Sequence, residues 1–223
     1  MSRGFCYSGP DHSQDVWHSY RESAEIFFTS CGVSIDSMFS DCGSISYIKQ
    51  SEFVFYYALA HGSSHEFLCE PGRKCTAEQM TKYLEQRGRM GFAFLGHCHG
   101  MVETGQGSFS HIFRKGRKSG TVTIGYYKAE QSEGWRFSLD WQEHLFLYLR
   151  QGMSFGDAFG EAVADYPEVE EMVQLVGDRE LTLDAAKIVR EKEDEQKEEK
   201  PSCWLIAFLT RIFRYLFHSF KKS

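Results

Sequence analysis

Two apolar runs, Phe53-Val-Phe-Tyr-Tyr-Ala-Leu-Ala60 and Met90-Gly-Phe-Ala-Phe-Leu-Gly-His97, each lead straight into a reactive side chain with a glycine close behind, His61-Gly62 in the first case and Cys98-His99-Gly100 in the second. Apolar runs of this length, without strict alternation, fit strands buried on both faces of a parallel sheet. The carboxyl ends of such strands border the crevice where ligands bind, so a histidine at one end and a cysteine at another can meet there. Gly62 and Gly100 are expected to free the backbone for tight turns and to let main-chain N–H groups point at a substrate oxygen, as acyl transfer requires.

A second reading of the same segments uses the other histidines. By the two-residue period of a strand, His97 and His99 share a face opposite Cys98, and with His61 and His65 they make a candidate zinc site. Spacing of the C-x-x-C or H-E-x-x-H kind is absent, which favours Cys98 as a nucleophile over a metal centre.

With 223 residues, 42% of them hydrophobic and 15% aromatic, the chain suits one sizeable α/β domain with an appendage. A net charge of −6 without a dense basic stripe in the first two hundred residues argues against nucleic acid as a partner. The seven cysteines form no regular framework, and the chain starts without the basic segment and apolar run of a signal peptide, so a cytoplasmic setting is expected. Cys69 and Cys75, either side of Glu70-Pro71-Gly72, are accordingly expected as free thiols.

The pattern along the chain alternates. A short opening strand over Gly4 to Tyr7 precedes a helix from Asp15 to Cys31, stopped by Gly32. Val33 to Phe39 reads as a strand, Ser44 to Gln50 as a brief helix or loop, and Thr76 as the start of a helix to about Arg87. A third clear strand spans Gly120 to Tyr127. Two helices follow, Leu139 to Arg150 and Ser154 to Tyr166, joined at Gly152 and ended by Pro167. Strands separated by helices predict a mostly parallel sheet with helices on both faces.

The strand–His61–Gly62–Ser63 and strand–Cys98–His99–Gly100 blocks resemble the signatures of the caspase-like superfamily of cysteine peptidases, in its gingipain-type and legumain-type branches. The blocks after the cysteine agree in order: Ser108-Phe109, Gly120 to Tyr126 with Trp135 beyond, Leu149 to Ala158, and Val176 to Leu181. The resemblance implies a three-layer α/β sandwich over residues 1–185. It also implies a peptidase in which the Cys98 thiolate attacks a peptide carbonyl, His61 protonates the leaving amine, and the N–H groups of Gly62 and Cys98 hold the oxyanion. The partner is then a protein or peptide substrate, and no metal or organic cofactor is needed. The family places Ala before its cysteine where this chain has His97, which keeps open a catalytically silent caspase-like module that recruits partners or membranes through its tail.

Specificity is carried in the family by the residue two before the cysteine, often an acid; here it is Gly96, without charge. Other pocket candidates are Glu103, Tyr126 and Trp135, with Glu130 and Glu133 as further acids. The basic run Arg114 to Lys118 reads as a solvated helix end and turn.

The remaining chain changes character. Residues 186–200 form a charged linker. Residues 201–223 set Arg211, Arg214, His218 and Lys221 on one stripe of an otherwise aromatic and aliphatic helix carrying Trp204, Phe208 and Phe220. Two arginines in its middle argue against a membrane span. They favour an amphipathic helix that lies on an anionic membrane surface or docks on a protein partner.

Overall fold

The computed structural model describes residues 3–9, 15–35, 38–50, 53–85, 90–104, 107–113, 120–128 and 135–187. At its centre is a six-stranded sheet of β1 (Arg3–Ser8), β2 (Met38–Phe39), β3 (Phe53–Ala60), β6 (Phe92–His97), β7 (Val122–Tyr126) and β8 (Val173–Gly177), in the order β2-β1-β3-β6-β7-β8. All neighbours are parallel except β7 and β8, so one edge is antiparallel. A separate antiparallel hairpin, β4 (Glu66–Glu70) and β5 (Arg73–Thr76), projects from the end of β3.

Alternate residues of the sheet enter two cores. Cys6, Phe55, Tyr57, Leu59, Phe92, Phe94, Ile124 and Tyr126 belong to one core with residues of α1 (Asp15–Ser30), α4 (Trp135–Arg150), α5 (Phe155–Asp165) and α6 (Leu183–Ala186). Phe5, Tyr7, Tyr56, Ala58, Ala93 and Leu95 belong to the other, with the 3-10 turn Ser44–Lys49, α2 (Ala77–Leu84), α3 (Phe109–Ile112) and the hairpin. The result is a three-layer α/β sandwich. It also explains why β3 is buried at every position and carries no polar alternation.

Helices α1 and α4 are locked together over the sheet. Phe27 stacks on Phe146 with ring centroids 4.1 Å apart. Beneath them the Gln142 amide donates to the Tyr20 carbonyl and the Ser23 hydroxyl and accepts from the Tyr57 hydroxyl at 3.1 Å, joining α1, α4 and β3. A buried amide satisfied on both its N–H and C=O sides fixes the helix register as well as adding stability.

Several expectations are corrected. The opening strand is six residues long and pairs along its length with β3. Of the strand expected over Val33 to Phe39, the described residues show Met38–Phe39 and an isolated bridge between Ser34 and Arg3. Helix α2 keeps its Thr76 capping box with Gln79 and ends at Leu84. Cys69 is not a free thiol: it is bonded to Cys42, 27 positions away, with Cα atoms 5.1 Å apart. Cys75 sits opposite Phe67 in the hairpin register, stays free, and has its pKa pushed up to about 12 by burial.

Candidate active site

His61 and Cys98 leave adjacent parallel strands at the same level, because Ala60 of β3 is in register with His97 of β6. Both lie at the carboxyl edge of the sheet, as the two apolar runs predict. His61 is exposed and its ring lies against Trp17 of α1, with centroids 5.2 Å apart and planes at 60°. Trp17 is buried, so one side of the His61 ring faces a fixed apolar wall. The Cys98 thiol is half-buried. The other free cysteines among the described residues, Cys6, Cys31 and Cys75, are buried, and desolvation raises the pKa of each.

The turn after His61 is held by the hairpin. The Leu68 N–H donates to the His61 carbonyl at 2.8 Å and the Ser63 N–H to the Glu66 carbonyl at 2.7 Å, which makes Gly62 and Phe67 the pair between those bonds. In such a pair the central N–H points away from the partner strand, so the Gly62 N–H is directed away from β4.

The turn after Cys98 closes with the Gly100 N–H donating to the His97 carbonyl at 3.0 Å, leaving Cys98 and His99 as its central residues. Met101 N–H donates to the Tyr126 carbonyl at 3.0 Å, tying the turn to β7. His99 takes a φ of 58°, and its Nδ1 lies 3.2 Å from the Tyr127 carbonyl. The left-handed position in this turn is thus a histidine and not a glycine. Gly62 and Gly100 have no positive φ, which corrects the expectation that they supply unusual backbone angles. Their requirement is space. A β-carbon on Gly62 would stand 2.7 Å from the Glu66 carbonyl oxygen and 3.0 Å from His97 Cδ2, and one on Gly100 would stand 2.9 Å from His97 Nε2.

His97 is therefore not a neighbour crowding the nucleophile. Its ring is buried in contact with the phenyl groups of Phe67 and Phe109, at centroid distances of 5.7 and 5.0 Å. Neither ring nitrogen makes a well-formed hydrogen bond among the described residues. Burial depresses its pKa to about 4, against the smaller, opposite effect of a backbone hydrogen bond with Ser63, so the imidazole is neutral near pH 7.

The zinc arrangement does not form. His65 Nδ1 lies 2.9 Å from the Ser64 hydroxyl and its Nε2 3.0 Å from the Thr104 hydroxyl, while His97 is buried and His99 is turned to Tyr127. No group of three His, Cys, Asp or Glu side chains placed to hold a metal occurs among the described residues.

The pocket candidates are spread out. Gly96 is buried within β6, where a β-carbon would stand 2.6 Å from the Ala58 carbonyl oxygen, so strand packing by itself demands glycine there. Tyr126 is packed in the core against Phe94 and Trp141, with centroids 6.2 and 6.1 Å away. Glu103 is exposed, 3.8 Å from His111 Nδ1, and Trp135 opens α4. Glu130, Glu133, the run Arg114 to Lys118, and Trp204, Phe208, Arg211, Arg214, His218, Phe220 and Lys221 of the tail lie outside the described residues. No helix among the described residues is long and apolar enough to cross a membrane. Trp17 is the site residue that sequence reasoning passed over. It lies three residues before Tyr20 on the buried stripe of α1, where it reads as core, and nothing in its local pattern ties it to His61.

No family model matches the chain, and no curated protein matches it by sequence. Solved structures do. The Arg-specific cysteine proteinase gingipain R, RgpB, aligns over 81% of this chain and 47% of its own, with a TM-score of 0.58 and 15% identity. The complex of the Porphyromonas gingivalis RgpB pro- and mature domains aligns over 85% of this chain and 45% of its own, with a TM-score of 0.53 and 13% identity. The chain thus spans about half the length of the structures it matches. The mostly parallel sheet between helical layers is a caspase-like α/β fold, in agreement with the likeness to gingipain R.

Proposed function

We propose that this protein is a cysteine endopeptidase that hydrolyses peptide bonds with Cys98 as nucleophile and His61 as general acid. The observation that carries the reading is the Ala60–His97 register. It delivers an exposed imidazole and the half-exposed thiol to one edge of the sheet, at the end where a parallel sheet accepts ligands. The Cys98 thiolate attacks the substrate carbonyl carbon. The C–N bond then breaks, with the amine leaving after it takes a proton from the protonated His61. Water next attacks the thioester; its hydroxyl stays on the acyl group as the carboxylic acid, its other proton returns to His61, and the Cys98 thiolate is released. The N–H groups of Gly62 and Cys98 hold the oxyanion, each contributing about 3 kcal/mol by comparison with other oxyanion sites. Burial of His97 on the far side of the strand from Cys98 supports access to the thiol, and so favours an active enzyme over a silent module.

The arginine specificity of gingipain R is a property of that protein, and Gly96 offers no charge to select a basic side chain. The test is an active-site-directed acyl-type thiol probe, with turnover of a mixed peptide pool measured alongside. Parent protein is expected to be labelled at Cys98 and to cleave. Cys98→Ala and His61→Ala are expected to lose cleavage by three orders of magnitude or more, on the order of other nucleophile deletions. Parental cleavage by either variant overturns the assignment.

For residues 201–223 we propose an anionic membrane surface as partner, on the strength of the basic stripe and aromatic remainder of that sequence. Co-sedimentation of the full chain with phosphatidylserine vesicles at low salt, lost in Arg211→Glu/Arg214→Glu, is the expected result. A chain that stays in the supernatant refutes it.

A further inference from the structure

We propose that His97 is a positioning residue: its ring fills the gap between the Gly62 turn and the Gly100 turn and so sets the spacing of His61 and Cys98. This rests on the dyad proposed above. The ring is where the two turns meet. Its Cδ2 edge lies 3.0 Å from a β-carbon position on Gly62, and its Nε2 and Cε1 atoms lie 2.9 and 3.0 Å from one on Gly100. Since neither glycine has a left-handed backbone, the volume of this ring accounts for glycine at 100 together with the His97 carbonyl oxygen at 3.1 Å, and for glycine at 62 together with Glu66 and Phe67. Phe67 of the hairpin and Phe109 of α3 touch the same ring and keep it from moving away. Both turns are anchored on their outer sides, the Gly62 turn on β4 and the Cys98 turn on β7 through Met101. The ring is thus the inner spacer of a frame whose outer walls are fixed by main-chain hydrogen bonds.

Close packing against Phe67, Phe109 and the two glycine turns holds the ring, so the spacer acts through shape. A flat apolar ring of similar size reproduces it, and a methyl group does not. Removing the ring lets the turns approach or separate, and a misplacement of about 1 Å between reacting groups lowers turnover by up to about a hundred-fold.

The experiment compares full-length parent, His97→Ala, His97→Phe, Gly100→Ala and the double variant His97→Ala/Gly100→Ala. Expected for His97→Ala is a fall in kcat of about ten-fold or more with KM within about two-fold, restored to within about three-fold of parent by His97→Phe. Iodoacetamide alkylation of Cys98, mapped by mass spectrometry well below the melting temperature, reads the same geometry without needing turnover. It is expected to accelerate in His97→Ala as the turn loosens, and to return to the parental rate in His97→Phe. Gly100→Ala should lower Tm by less in the His97→Ala background than in the parent, because the added methyl enters space the ring has left while the His97 carbonyl oxygen still stands 3.1 Å away.

Parental kcat and alkylation in His97→Ala overturn the positioning role. A His97→Phe variant as impaired as His97→Ala overturns the steric account, since the ring nitrogens would then be what matters. Failure of the dyad itself is seen separately, as cleavage that survives Cys98→Ala.

Discussion

Trp17 of α1 and His61 at the end of β3 lie ring against ring, with centroids 5.2 Å apart and planes inclined at 60°. The tryptophan is 3% exposed, whereas the imidazole reaches solvent, so a side chain from the helical layer limits the swing of the proposed general acid. An aromatic contact of this kind is worth about 1 kcal/mol.

Trp17→Leu removes the ring and keeps an apolar plug. Its kcat/KM is expected to fall about five-fold, the equivalent of that contact, whereas Trp17→Phe should stay within about two-fold of parent. Steady-state kinetics on a peptide substrate checks this, with Tm measured in parallel. Equal kinetics in Trp17→Leu and parent would show that His61 is held by other means.

Gly96→Ala should destabilise the protein by about 1–3 kcal/mol, because the new β-carbon meets the Ala58 carbonyl oxygen of a central strand that has no room to shift. Gly96→Asp is expected to be worse and to confer no preference for arginine or lysine. Urea unfolding of both variants, with cleavage profiling of any folded Gly96→Asp, is the check.

Acid should weaken the fold through His97. Its folded pKa is about 4, below the ordinary value of 6.5, so between these values the unfolded chain binds a proton that the folded chain refuses. This contribution is fully present above pH 6.5, falls as pH drops through the window, and levels off below about 4. The loss amounts to about 3 kcal/mol over the window. His97→Phe should flatten the stability profile between pH 6.5 and 4, as measured by urea midpoints at successive pH values, and an unchanged slope would place the acid sensitivity elsewhere.

The Cys42–Cys69 bond ties the segment after β2 to the hairpin that supports the His61 turn. Closing a 27-residue separation restricts the unfolded chain by about 3.5 kcal/mol on the chain-entropy account. Reduction with dithiothreitol, or Cys42→Ser, is expected to lower Tm by several degrees with Cys98 intact. Identical melting with and without reductant would remove this cross-link from the stability of the fold.

Strands β3 and β6 are legible because a parallel strand covered on both faces needs apolar residues throughout, and their polar exits then stand out as candidate site residues. Helix α1 is legible from its spacing and from Gly32, which takes a φ of 72° as a helix stop. The hairpin is not, because Glu66, Leu68 and Glu70 alternate with buried Phe67 and Cys69 over only five residues, and Arg73-Lys74 resembles any solvated turn. The Cys42–Cys69 pairing depends on the approach of two segments that no local pattern connects. Cys98 and His61 were readable as candidates from their strand ends, whereas the role of His97 was not. Sequence places it beside Cys98, and only the alternation of β6 and the positions of Phe67 and Phe109 carry its ring to the other face.

The parallel pairing of β3 with β6 also bears on when the site comes into being. Two parallel neighbours cannot zip from a shared turn. The chain between them must first fold back through the β4–β5 hairpin and α2, so the contact is non-local and among the slower ones to form. Until that pairing is made, His61 and Cys98 stand on separate, unaligned segments. A chain still emerging from synthesis, or one whose sheet has opened, therefore holds both groups without the proposed dyad, and the proposed activity is expected to return in refolding only together with burial of β6.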